Sequence, residues 1–161
     1  MGAEPPPIDP PLLAGARAPE LGAHGLTGAH GGLVRLADLS RDALLVFLPF
    51  AFSPVCTDEL AALGAGLRWF DDAGVRVVGI SCDAPATLRA WTREHAGGIE
   101  LLSDFWPHGQ AARAYGVFDA AHGHARRGTF LVRDGRVRWS VLTDAGSARD
   151  VAAYRAAVAS L

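Results

Sequence analysis

Two kinds of apolar pattern alternate along the chain. Ala43 to Leu48 is an unbroken apolar run, as expected for a strand buried on both faces of a sheet. From Thr57 to Phe70 the positions Leu60, Leu63, Leu67 and Phe70 recur at three- and four-residue spacing, which predicts a helix with one buried stripe. Arg76 to Ser81 predicts the next buried strand. Pro85 to His95 predicts a second helix, entered through Asp83 as N-cap and ended by Gly97-Gly98. The stretch LLSDFWPHGQAARAYGVF reads as a short strand, an aromatic loop and a brief helix. Thr129 to Arg133 and Gly135 to Leu142 predict two strands about Asp134-Gly135, a dipeptide suited to a tight hairpin turn. A helix near Arg149 to Leu161 closes the chain, and ahead of the first buried strand glycines break residues 16–39 into short extended pieces, a small hairpin at the domain edge.

Strand, helix, strand, helix, strand, helix, hairpin, helix is the order of an α/β sheet with helices on both faces. At 161 residues the chain has room for one substantial core and no second of similar size. The expected division is a flexible, proline-rich tail over residues 1–14 and a single domain over 15–161. Half the residues are hydrophobic, a fifth are charged and the net charge is −2, so no basic footprint for nucleic acid is present. MGAEPPPIDPP lacks the features of a secretion signal, and no apolar run approaches the ~20 residues of a membrane span. Two cysteines do not make a secreted disulfide framework, and the cytoplasm is the expected compartment. All 15 basic residues are arginine, a bias of high-GC coding.

Candidate chemistry centres on Cys56, in the run LLVFLPFAFSPVCTDEL. The cysteine arrives where the first buried strand has ended and the first helical pattern begins. A helix N-terminus offers unpaired N–H groups and the positive end of the macrodipole, and both stabilise a negatively charged sulfur. Pro49, Ser53 and Cys56 stand in the spacing P-x-x-x-S-x-x-C, with Glu59 three residues beyond the cysteine, and Arg127 precedes Gly-Thr-Phe in RRGTFLVRDG. In a strand, neighbouring side chains point to opposite faces, so only one of Arg126 and Arg127 can reach the sulfur.

The P-x-x-x-S-x-x-C loop resembles the active-site loop of the peroxiredoxins, P-x-x-x-T/S-x-x-C. Arg127 falls where that family carries an arginine beside its reactive thiolate, and SDFWPHGQAARAYGVF is similar to the matching segment of the alkyl hydroperoxide reductase E type of one-cysteine peroxiredoxin. The resemblance runs from about Gly15 to Leu161. It implies a thioredoxin-like fold, a central mixed sheet flanked by helices, and a thiol-dependent peroxidase that needs no cofactor or metal. Carried over residue by residue, it makes Cys56 the attacking thiolate, and Arg127 the guanidinium that holds the sulfur and the peroxide oxygens. Ser53 becomes the hydroxyl that orients the peroxide, Pro49 a shield without an N–H, and Glu59 the acid that positions Arg127. The backbone N–H of Cys56 is expected as a further donor to the peroxide. An ordinary thiol is already a few per cent ionised at neutral pH, so fuller ionisation adds only about tenfold. Fast attack therefore needs stabilisation of the O–O bond as it breaks.

The implied partners are a peroxide (hydrogen peroxide, an organic hydroperoxide or peroxynitrite), an external thiol, and a second copy in a homodimer or larger homo-oligomer. High-GC coding of an actinobacterial kind points to mycothiol with a mycoredoxin-like protein as the reductant, with a thioredoxin-like protein as the other choice. Cys82, in GISCDAP, is read as a packed thiol; the alternatives are a resolving cysteine in a two-cysteine cycle, or a redox sensor or holdase that does not turn over. His24, His30, His95, His108, His122 and His124 show no metal-site spacing, since His122-x-His124 lacks further ligands. Phe105 and Trp106 are expected beside the active-site pocket or a subunit interface.

Overall fold

The computed structural model of the protein describes residues 8–39, 42–95 and 97–161. A seven-stranded mixed sheet forms the centre. Its inner strands are β3 (Asp42–Phe47), β4 (Val75–Ser81) and β5 (Glu100–Ser103), paired in parallel in the order β5, β4, β3. Beyond β3 the hairpin β8 (Arg127–Arg133) and β9 (Arg136–Thr143) continues the sheet antiparallel. Its turn holds Asp134 and Gly135 at φ of 52° and 68°, the left-handed pair that a two-residue turn of this hand requires. At the other edge β1 (Leu26–Gly28) and β2 (Leu33–Val34) form the small hairpin expected there. A separate ribbon, β6 (Phe118–Asp119) with β7 (His124–Ala125), interrupts the segment before β8.

The apolar runs explain which side chains meet. Along β3, Ala43, Leu45 and Phe47 point into one core and Leu44 and Val46 into the other, as the two-residue period of a strand demands. Helices α1 (Pro54–Asp72), α2 (Pro85–His95) and α4 (Val151–Ala159) cover the second face with Leu60, Leu63, Phe70, Leu88, Trp91 and Tyr154. The short α3 (Gln110–Ala114) covers the first face with Ala111 and Ala112, beside Tyr115 and Phe130. No helix among the described residues is long and apolar enough to cross a membrane.

Three expectations change. Of the tail 1–14, residues 1–7 lie outside the described residues, while the rest is tied down: Leu12 N–H donates to the Tyr115 carbonyl and Leu12 O accepts from Ser140 Oγ. This strap runs on through Gly15, Ala16 and Ala18, which exchange backbone hydrogen bonds with Gly135 and Val137 at the β8–β9 turn. Asp83 does not cap α2, which starts two residues later. The closing helix starts at Val151 under an Asp150 cap, leaving Arg149 outside it.

Candidate active site

Ser53 ends the loop after β3 and caps α1, with extended backbone (φ −67°, ψ 143°) and an Oγ that accepts from the Cys56 N–H at 3.3 Å. Pro54 occupies the first turn, where its missing N–H is not needed. The cap thereby sets Cys56 in the first turn of α1, facing the core, with its side chain wholly buried. One expectation is corrected here: the Cys56 N–H is engaged by Ser53 rather than free for a ligand, although the Ser53 hydroxyl hydrogen stays available. The loop is also tied from outside, because Asp83 Oδ2 accepts from Ala51 N–H at 2.8 Å and from Ser81 Oγ at 2.7 Å. Its carboxylate braces the active-site loop instead of a helix end.

Arg127 comes from β8 and points to the sheet face that α1 covers, the face of Leu131 and Cys56. Its Nη2 donates to Cys56 Sγ at 3.2 Å, its Nη1 to Glu59 Oε2 at 2.6 Å and its Nε to the Ala145 carbonyl at 2.7 Å. Arg126 turns the other way and donates to the carbonyls of Asp9 and Gly116. Gly128, next in the strand, has no room for a side chain: a Cβ there would stand 2.6 Å from Val117. Glu59 sits one turn along α1 and is buried with Arg127.

A second guanidinium completes the network. Arg149 donates to both Glu59 oxygens, through its N–H and Nε to Oε1 (2.6 and 3.0 Å) and Nη2 to Oε2 (2.8 Å). Its Nη1 reaches the carbonyls of Phe47 and Gly128 and the hydroxyl of Thr129, which pairs in turn with Tyr154 at 2.9 Å. Sequence reasoning missed Arg149; the only signal was an arginine just before an Asp N-cap. The two buried guanidiniums share the Glu59 carboxylate while Arg127 alone reaches the sulfur, an arrangement that holds the Arg127 fork in place.

Pro49 is buried and lines, with Arg127, Thr143, Ala145, Asp119 and His124, a cavity of about 220 Å³. The structure thus brings together all five residues singled out from the sequence: Pro49, Ser53, Cys56, Glu59 and Arg127. Phe105 and Trp106 do not line that cavity. They line another cavity with Leu33 and Pro107, and Trp106 is 83 % exposed. His122 and His124, which showed no third ligand in the sequence, have Asp119 beside them in space.

Cys82 follows β4 and lies in the core that contains Phe47 and Tyr115, whereas Cys56 lies in the core of the other face. The sheet separates the two free thiols. Burial, reinforced by the charges of Asp104 and Asp83, pushes the Cys82 thiol up to about 12, so it is a neutral S–H at physiological pH.

Comparison with known proteins adds an independent line. Residues 14–140 match the AhpC/TSA family. Over 123 residues the chain is 39 % identical to alkyl hydroperoxide reductase E of Mycobacterium tuberculosis, covering 76 % of this chain and 80 % of that protein. It is 34 % identical over 116 residues to peroxiredoxin TSA2 of Saccharomyces cerevisiae, covering 67 % of this chain and 58 % of that one. Among solved structures, Mycobacterium tuberculosis AhpC superposes with a TM-score of 0.83 at 22 % identity, covering 94 % and 93 % of the two chains. Peroxidoxin BcpB of the same organism gives 0.81 at 24 %, covering 93 % and 98 %. These two show the shared fold.

Proposed function

Because the chain belongs to the AhpC/TSA family and is a peroxiredoxin, a thiol-dependent peroxidase, we propose that Cys56 is its peroxidatic thiol and that an external thiol completes the cycle. The observation that carries this reading is the 3.2 Å hydrogen bond from Arg127 to the Cys56 sulfur, made by a guanidinium that Glu59 and Ala145 hold in place. The charges fit: two guanidiniums and one carboxylate leave one positive charge over, and a thiolate at Cys56 brings the buried set to neutrality.

In the proposed reaction the thiolate attacks the terminal peroxide oxygen. An S–O bond forms, the O–O bond breaks, and the leaving alkoxide or hydroxide takes a proton as the alcohol or water departs. Arg127 donates to the oxygens where negative charge develops. The Ser53 hydroxyl orients the bound peroxide, Pro49 closes the sulfur from water without offering an N–H, and Glu59 with Arg149 holds the Arg127 fork. The resulting sulfenic acid is attacked by an outside thiol, water leaves, and a second thiol releases the reduced enzyme. Hydrogen peroxide, small organic hydroperoxides and peroxynitrite are the substrates this reading takes, approaching from the side of Pro49 and Arg127, and mycothiol with a mycoredoxin-like protein, or a thioredoxin-like protein, suits the reductive half.

Cys82 takes no part in this scheme. Its neutral thiol is a poor nucleophile, and the sheet stands between it and Cys56. Intact mass after one equivalent of hydrogen peroxide tests the proposal. The expected product carries one added oxygen on Cys56, Cys56→Ser abolishes peroxide consumption, and Cys82→Ser retains most of it with a thiol supplied. Quantitative loss of two hydrogens, with a Cys56 to Cys82 disulfide in the digest, would sink the one-cysteine cycle.

A further inference from the structure

The β6–β7 ribbon carries three metal-type ligands that the peroxidase reading does not use. One ligand atom from each of Asp119, His122 and His124 lies within 4.8 Å of the other two. Tetrahedral ligation at ~2.1 Å places donor atoms about 3.4 Å apart. The His122 side chain, 70 % exposed, is free to rotate over that small difference.

The other two ligands are already oriented. Asp119 Oδ1 accepts from the N–H groups of Ala121 and His122, which leaves Oδ2 turned to His122 Nδ1 at 2.8 Å. His124 Nδ1 lies 2.8 Å from the Ala125 carbonyl. A carbonyl can only accept, so Nδ1 carries the proton and Nε2 keeps its lone pair. Metal-bound histidines are normally oriented by such an outer hydrogen bond. The Phe50 ring packs against the same imidazole, with centroids 4.6 Å apart.

We propose that Asp119, His122 and His124 form a binding site for a divalent ion of the zinc class, with its remaining positions open to water or an added ligand. Two imidazoles and one carboxylate suit Zn²⁺ and its transition-metal neighbours, whereas Ca²⁺ and Mg²⁺ prefer shells of oxygen alone. Asp119 and His124 also line the cavity that holds Arg127, so the ion stands in the wall of that cavity. Arg126, the other cation of the cavity wall, donates away from the site to the Asp9 and Gly116 carbonyls.

The test is a titration of the reduced protein with Co²⁺, followed by displacement with Zn²⁺. The expected result is one Co²⁺ per chain with visible d–d absorption, no sulfur-to-cobalt charge-transfer band, and release by one equivalent of Zn²⁺. Asp119→Asn and His124→Ala should each weaken binding by at least ~10-fold, with His30→Ala, exposed in the β1–β2 turn, as an unaffected control. Because His122 is exposed, His122→Ala leaves the fold intact and must show the same loss. A charge-transfer band would assign the ion to a cysteine instead. Unchanged affinity in the His122→Ala/His124→Ala protein, or no binding at millimolar metal, would also overturn the site.

Discussion

Arg127 and Arg149 touch the same carboxylate, yet their chemistry separates. Arg127 meets the sulfur, whereas Arg149 meets Glu59, two backbone carbonyls and Thr129. Arg127→Met is expected to slow peroxide reduction by at least ~100-fold at a pH where Cys56 is ionised in wild type and variant alike, since it removes a donor to the breaking O–O bond. Arg149→Met is expected to lower stability by about 3 kcal/mol, because it removes two of the four donors to the buried Glu59 carboxylate and the guanidinium donor to two carbonyls, while Arg127 and a backbone N–H still hold Glu59. Stopped-flow peroxide kinetics and urea unfolding of both variants check the split; rate constants that converge on full ionisation would confine Arg127 to setting the thiolate population. Cys56, Glu59 and Arg127 were legible in the sequence because each stands at a fixed offset within a motif. Arg149 was not, since a polar residue ahead of an N-cap looks solvated until the carbonyls that surround it are known.

At the scale of the element, the first turn of α1 is held by one side chain with two possible duties. Ser53→Ala should cost about 1 kcal/mol through loss of the N-cap, while Ser53→Asn, an equally good cap, should recover that stability. If the hydroxyl orients peroxide, Ser53→Asn regains the urea midpoint but not the rate; full activity in Ser53→Asn would reduce the residue to a cap. The buried strands and α1, α2 and the β8–β9 hairpin were legible because apolar runs and a turn dipeptide mark them. The β6–β7 ribbon was not, for two-residue strands in VFDAAHGHA are too short to show alternation. Asp83 was misassigned for a related reason: a carboxylate near a helix start reads as a cap, and only the fold brings Ala51 to it.

For the whole molecule, the raised Cys82 thiol couples stability to pH. The folded state keeps the Cys82 proton up to about 12, whereas an unfolded thiol releases its proton near ~8.5. Between those limits the unfolded chain binds fewer protons, so stability falls as pH rises. Urea midpoints of wild type should therefore drop between pH 8 and 9.5, below the range where unfolded tyrosines ionise (~10), and Cys82→Ala should drop less. Equal slopes would exclude Cys82 as the source. The N-terminal strap has a consequence of another kind. Its bonds join Leu12 to Ser140 and Gly15 to Arg136 across 128 and 121 residues, and loops that long close only after the hairpin they rest on exists. Contacts expected to form that late would act on escape from the native basin rather than on arrival. The strap is therefore expected to act as a latch, so that truncating residues 8–14 raises the unfolding rate in stopped-flow urea jumps and leaves the refolding rate unchanged.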